Sequence, residues 1–229
     1  MGVLITFWIA LGVMEGSLCS VTEKRGGSSG SLVVICLFLL SFTGCDCAHS
    51  RHLACANRGL RTVLNLQYNQ IAIIHPKAFE KLSRLEELYL GHNLLTALPA
   101  GSLQHLKKLS TFYGNNNHIK KITPDNFLNL DKLVKLRLDG NSLEVLPDSV
   151  FKGLTSLQYL HLEHNKVQHI HRNAFSKLTN LRFLNLAHNK QSALTSVLTF
   201  SPLRALTTLL KNNFLTSLCK CMASILLFL

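Results

Sequence analysis

Asparagine recurs at Asn69, Asn93, Asn117, Asn141, Asn165, Asn189 and Asn213, always 24 residues apart, and the apolar positions around it keep one phase. Around these asparagines the pattern L-x-x-L-x-L-x-x-N-x-L can be laid, met in full at Leu85, Leu88, Leu90, Asn93 and Leu95, and with valine last at Leu157, Leu160, Leu162, Asn165 and Val167. Five residues after it comes another aliphatic (Ile74, Leu98, Ile122, Leu146, Ile170), then Phe79, Leu103, Phe127, Phe151 or Phe175. The L-x-L alternation has period two, the mark of a short strand with one buried face, and Pro76, Pro99, Pro124 and Pro147 mark a turning return path.

One such unit has too few apolar groups to fold alone, so it must stack on its neighbours. Strands set about 4.8 Å apart then pair in parallel, and the leucines of successive turns merge into one core. The pattern predicts an α/β solenoid, mostly short parallel strands with a loop or 3-10 return, curved like a fragment of a horseshoe and opened by a partial cysteine cap. The expected organisation is a signal-peptide region over residues 1–44, a cap over 45–63, about seven repeats over 64–218 and an aberrant tail over 219–229. Each recurrent asparagine is expected to point inward and bond to backbone groups at the bend after its strand, a structural role.

In a stacked array the residues between the inward leucines face solvent on the concave side and line up in columns. One column reads Asn65, Tyr89, Tyr113, Arg137, His161, Asn185, and its neighbour Val63, Glu87, Thr111, Lys135, Tyr159, Phe183. Aromatic side chains and arginine are the usual anchors of binding surfaces. Tyr89, Tyr113, Lys135, Arg137, Tyr159, His161 and Phe183 are therefore the candidate ligand-binding residues. Histidine also recurs one residue before the asparagine, at His92, His164 and His188. No carboxylate or cysteine is phased with these rings, so they read as solvated rather than as metal ligands.

Composition sharpens this picture in three ways. The chain is 47% hydrophobic but 7% aromatic, which suits an aliphatic core. Its 24 Lys and Arg outnumber 12 Asp and Glu, giving a net charge of +12 and a surface that attracts anions. Its seven cysteines, Cys19, Cys36, Cys45, Cys47, Cys55, Cys219 and Cys221, leave the stretch from 56 to 218 empty. The cluster Cys45, Cys47, Cys55 reads better as a disulfide cap than as a zinc site, because Val3–Met14 and Leu32–Phe42 each fit the apolar region of a signal peptide and export favours oxidation. Neither stretch is long enough to span a bilayer. No nucleophile with an orienting base, paired carboxylates, phosphate-cradling glycine loop or H-E-x-x-H motif occurs, so neither an enzyme nor a cofactor is expected.

The opening CDCAHSRHLACANRGL and the runs LQYNQIAIIHPKAFEKLSRLEELYLGHNLL, LVKLRLDGNSLEVLPDSVF and LRFLNLAHN resemble the extracellular leucine-rich-repeat proteins that interact with Toll-like receptor 4. The likeness covers residues 45 to about 218. It implies a surface or secreted protein assisting Toll-like receptor signalling, with an extracellular protein partner and lipopolysaccharide, an anionic glycolipid, as ligand; no nucleic acid is expected. The alternative expectations are an adhesion or matrix protein whose repeats engage proteoglycan or a neuronal receptor, and a truncated product without independent activity. It also implies a four-cysteine cap whose first member would fall near Ser41, and further repeats, a fibronectin-like domain and a membrane span that these 229 residues do not include. Arg61 stands where the first inward leucine belongs, and LTTLLKNNFLTSL is one residue short between Leu209 and Asn213.

Overall fold

The structure is a computed structural model that describes residues 62–191 and 197–210, with the short strands Thr22–Arg25, Leu32–Ile35, Cys45–Asp46 and His52–Cys55. Cys47, Arg61, Asn213, the stretch Val3–Met14 and the tail from residue 211 lie outside the described residues, as does most of the second apolar stretch.

Seven three-residue strands form one parallel sheet in chain order: Val63–Asn65, Glu87–Tyr89, Thr111–Tyr113, Lys135–Arg137, Tyr159–His161, Phe183–Asn185 and Thr208–Leu210. The register steps by one repeat each time, Leu64 to Leu88 to Phe112 to Leu136 to Leu160 to Leu184. This is the parallel solenoid that the 24-residue period predicts. The last step is longer: Leu184 pairs with Leu209, 25 residues on. The additional residue is taken up in the connection before the strand, so Leu209 keeps an inward position despite the local lapse in sequence period.

The middle residue of each of the first six strands is fully buried, as are the aliphatics before and after it and a spine on the return side. Phe127, Phe151, Phe175 and Phe200 stack along that spine with centroids 5.8, 6.1 and 5.8 Å apart. The third repeat departs from the pattern, with Phe112 for the middle leucine and Gly114 for the next one. A Cβ on Gly114 would meet the Phe112 ring and a Leu138 methyl, each at 3.3 Å. The larger ring thus fills the room that the missing leucine leaves.

The return path is built of turns and two 3-10 helices, Pro124–Phe127 and Val197–Phe200, with no α-helix among the described residues. Val145–Leu146 pairs in parallel with His169–Ile170 on that side. Ahead of the first repeat, Cys45–Asp46 runs antiparallel to His52–Cys55, with Cys45 opposite Cys55, and His52–Leu53 continues in parallel beside Ile73–Ile74. Thr22–Arg25 and Leu32–Ile35 pair as an antiparallel hairpin.

Asparagine ties the turns together. The Asn93 amide donates to the carbonyls of Leu90 and Gly91 in its own repeat and of Leu66 in the preceding one, and its oxygen accepts from Ile71 N–H at 3.0 Å. Asn117, Asn141, Asn165 and Asn189 likewise donate to a carbonyl of the preceding repeat and accept one of its N–H groups. Among the described residues, Asn69 donates to Leu66 and Gln67 of its own turn. The residue just before each asparagine has positive φ: Tyr68, His92, Asn116, Gly140, His164 and His188. That left-handed conformation is open to glycine at no steric cost and is enriched in Asn and His, which accounts for the recurrent histidines.

Candidate concave binding surface

All seven candidate residues sit on the sheet strands, where alternation with the inward leucines turns them to the concave side. Six are half-buried, and Tyr159 is 39% exposed. Parallel pairing puts Tyr89 beside Tyr113 and Tyr113 beside Arg137, and puts Lys135 beside Tyr159 and Tyr159 beside Phe183.

Contacts divide them into two clusters. At the first, the Tyr89 ring meets the Tyr113 ring edge-on, centroids 4.9 Å apart at 78°, an arrangement the aromatic quadrupole favours. Lys135 Nζ lies 5.2 Å and the Arg137 guanidinium carbon 5.3 Å from the centre of the same Tyr113 ring, within cation–π range. At the second, His161 packs on Phe183 at 4.8 Å. Tyr159 lies between the two clusters.

Three carboxylates that the sequence reading did not select fix these side chains. The Tyr89 hydroxyl donates to Glu87. Burial, reinforced by that bond, raises the tyrosine well above its ordinary range, so the hydroxyl stays protonated and a donor. Arg137 grips Asp139 with two bonds, Nε to Oδ1 at 2.9 Å and Nη2 to Oδ2 at 2.8 Å, and this pairing holds its proton more tightly than usual. His161 Nδ1 lies 3.2 Å from Glu163 Oε1. Burial pushes the Glu163 carboxyl up, but the His161 bond, a backbone bond and the nearby Arg137 charge outweigh it, leaving Glu163 below the ordinary carboxylate range. Each carboxylate lies two residues from its partner, Glu87 within its strand and Asp139 and Glu163 just past the ends of theirs.

The site is a pre-organised aromatic floor in which Tyr89, Arg137 and His161 are each held by a carboxylate, while Glu163 Oε2 and Asn115 Oδ1 are buried without a hydrogen-bond partner among the described residues. Across its three outward columns, through positions 67, 91, 115, 139, 163 and 187, it carries two cations, Lys135 and Arg137, against three carboxylates, Glu87, Asp139 and Glu163. Among the described residues no group of three His, Cys, Asp or Glu is placed to hold a metal ion, and no helix is long and apolar enough to cross a membrane. The floor offers ring faces, hydroxyls and paired charges.

Comparison with known proteins agrees with this architecture. The human leucine-rich repeats and immunoglobulin-like domains protein 1 is 41% identical over a stretch covering 24% of this chain and 6% of that protein. Among solved structures, Toll in the Drosophila Toll–Spatzle complex superposes with a TM-score of 0.63 at 28% identity, over 68% of this chain and 22% of that one. A TLR13–ssRNA13 complex gives 0.56 at 29% identity, over 70% and 26%. A leucine-rich-repeat protein of Leptospira interrogans gives 0.58 at 26%, over 70% and 45%. The chain thus spans under half the length of each of these relatives. The family described as Leucine rich repeat matches residues 61–119 and 131–190, more than half of the sequence. With its 24-residue period, asparagine ladder and parallel concave sheet, the chain belongs to the leucine-rich-repeat family.

Proposed function

We propose that this solenoid is an extracellular protein-binding module that takes a polypeptide partner on its concave floor, as an accessory to a Toll-like receptor complex. The observation that carries this reading is the fixed aromatic cluster of Tyr89 and Tyr113 under Lys135 and Arg137, continued by Tyr159 and by His161 on Phe183. Rigid aromatics lose little entropy on binding and bury large areas. The likeness to Toll, solved with Spatzle, and the resemblance to proteins that interact with Toll-like receptor 4 support the class of partner.

A polypeptide suits this floor better than an anionic glycolipid. Arg137 would have to release Asp139 to meet a phosphate, and three carboxylates flank the two cations. The test is titration of the Toll-like receptor 4 ectodomain against the wild-type chain and the Tyr113→Ala/Phe183→Ala variant. A loss of about 2 kcal/mol or more, roughly thirtyfold in Kd, is expected from hot-spot aromatics. Unchanged affinity would overturn the site. Lipopolysaccharide is titrated in parallel against Lys135→Ala/Arg137→Ala, and a clear weakening there would favour the glycolipid instead.

A further inference from the structure

The net charge of +12 is not located on the concave floor. Between residues 62 and 191 the chain carries 16 Lys and Arg against nine Asp and Glu, and the floor holds two and three of these. The remaining cations lie on the two edges and the convex return path, and one set of them is aligned. Arg84, Lys108 and Lys132 each stand three residues before a sheet strand, at the same exposed turn position of three successive repeats, with Lys107 beside them. Neighbouring turns touch here: the Asn180 amide, at the equivalent position two repeats on, donates to the Thr155 carbonyl of the preceding turn at 2.9 Å. Ser110 Oγ reaches Glu86 O of the preceding repeat at 3.1 Å in the same region.

No ion pair among the described residues engages Arg84, Lys107, Lys108 or Lys132. The row therefore runs along the solenoid axis with cations about 5 Å apart at the backbone, the spacing of adjacent strands. Like charges held so closely concentrate counter-ions, and a polyanion that displaces them gains the entropy of their release. The opposite edge offers no comparable line. Lys120 and Lys121 lie at different positions from Lys166 and Lys190, and Glu144 occupies the repeat between them.

We propose that Arg84, Lys108 and Lys132, assisted by Lys107, form a second binding site, distinct from the concave floor, for a linear sulfated glycan lying along the edge of the solenoid. The shape of the patch selects the ligand. The row is narrow, with Glu86 two residues after Arg84, Asp131 adjoining Lys132 and Glu80 four residues before Arg84. A polymer of sulfates can follow such a line, whereas a flat anionic membrane would press its headgroups against those carboxylates.

The test is salt elution of the full chain from immobilised heparin. Two variants remove equal charge from exposed positions: Arg84→Ala/Lys108→Ala/Lys132→Ala, and Lys120→Ala/Lys121→Ala/Lys166→Ala on the other edge, each verified as folded by circular dichroism. The wild type is expected to stay bound above physiological salt. The first variant should elute earlier, with the slope of log affinity against log salt reduced by about two to three contacts, and the second should elute near the wild type. Equal shifts in both variants would reduce the row to general charge, and wild-type elution at physiological salt would overturn the site outright. Phosphatidylserine vesicles form the other arm: vesicle binding that depends on the row while heparin binding does not would overturn the choice of glycan. Neither variant alters a concave residue, so this test stands or falls apart from receptor binding.

Discussion

Phe112 and Gly114 show how a repeat can break its own pattern without losing its core. Leucine occupies both positions in most other repeats, but here a ring and a hydrogen share the space, and a Cβ on Gly114 would already press the ring and Leu138. Gly114→Leu alone should cost about 1–3 kcal/mol by overpacking. Phe112→Leu alone should cost about 1–2 kcal/mol through the void it leaves. The double variant should recover most of that loss, and urea unfolding of all four proteins measures the coupling; additive losses would refute the compensation. This exchange could be glimpsed in the run TFYGNNN, but periodicity alone marks those two positions as faults rather than as a matched pair. The left-handed histidines were more readable as recurrences than as a conformation, since only the backbone shows that His92, His164 and His188 share positive φ with Gly140.

At the scale of the strand, the alternation of inward and outward residues was fully legible, because period two and a fixed asparagine leave one phase for each leucine. The seven concave candidates follow from that phase, and the structure places them on the strands in two clusters with Tyr159 between. What periodicity did not supply was the set of carboxylates that fix them, since an acidic residue on a strand looks like an ordinary solvated one until its partner's reach is known. Glu163 makes this testable. Its carboxyl sits below the ordinary value of 4.5 in the folded chain, so below that value the unfolded state binds more protons. Its contribution to stability is therefore present above 4.5 and is lost as pH falls through the lower folded value. Glu163→Gln should be less stable than the wild type near neutral pH, with the gap closing as pH falls below 4.5. Denaturant midpoints across that range measure it, and a gap that widens on acidification would contradict the sign.

At the scale of the whole molecule, the sequence announced a basic protein but not where the charge lies. Folding separates it: the concave floor is aromatic and close to electroneutral, while the edges and convex side carry most of the excess cations. The division follows from the repeat itself, because outward strand positions and turn positions recur independently and can be filled with different chemistry. The longer last step between Leu184 and Leu209 also belongs to this scale, since the sheet keeps its register and lets the connection absorb the extra residue. The central claim is that the concave floor, not the convex side, meets the protein partner. The most direct measurement places a photo-crosslinking residue at Tyr159 on the floor and, separately, at exposed Lys177 on the return side, then irradiates each chain with the receptor ectodomain. Adducts from position 159 and none from 177 are the expected result; adducts from 177 alone would contradict the account.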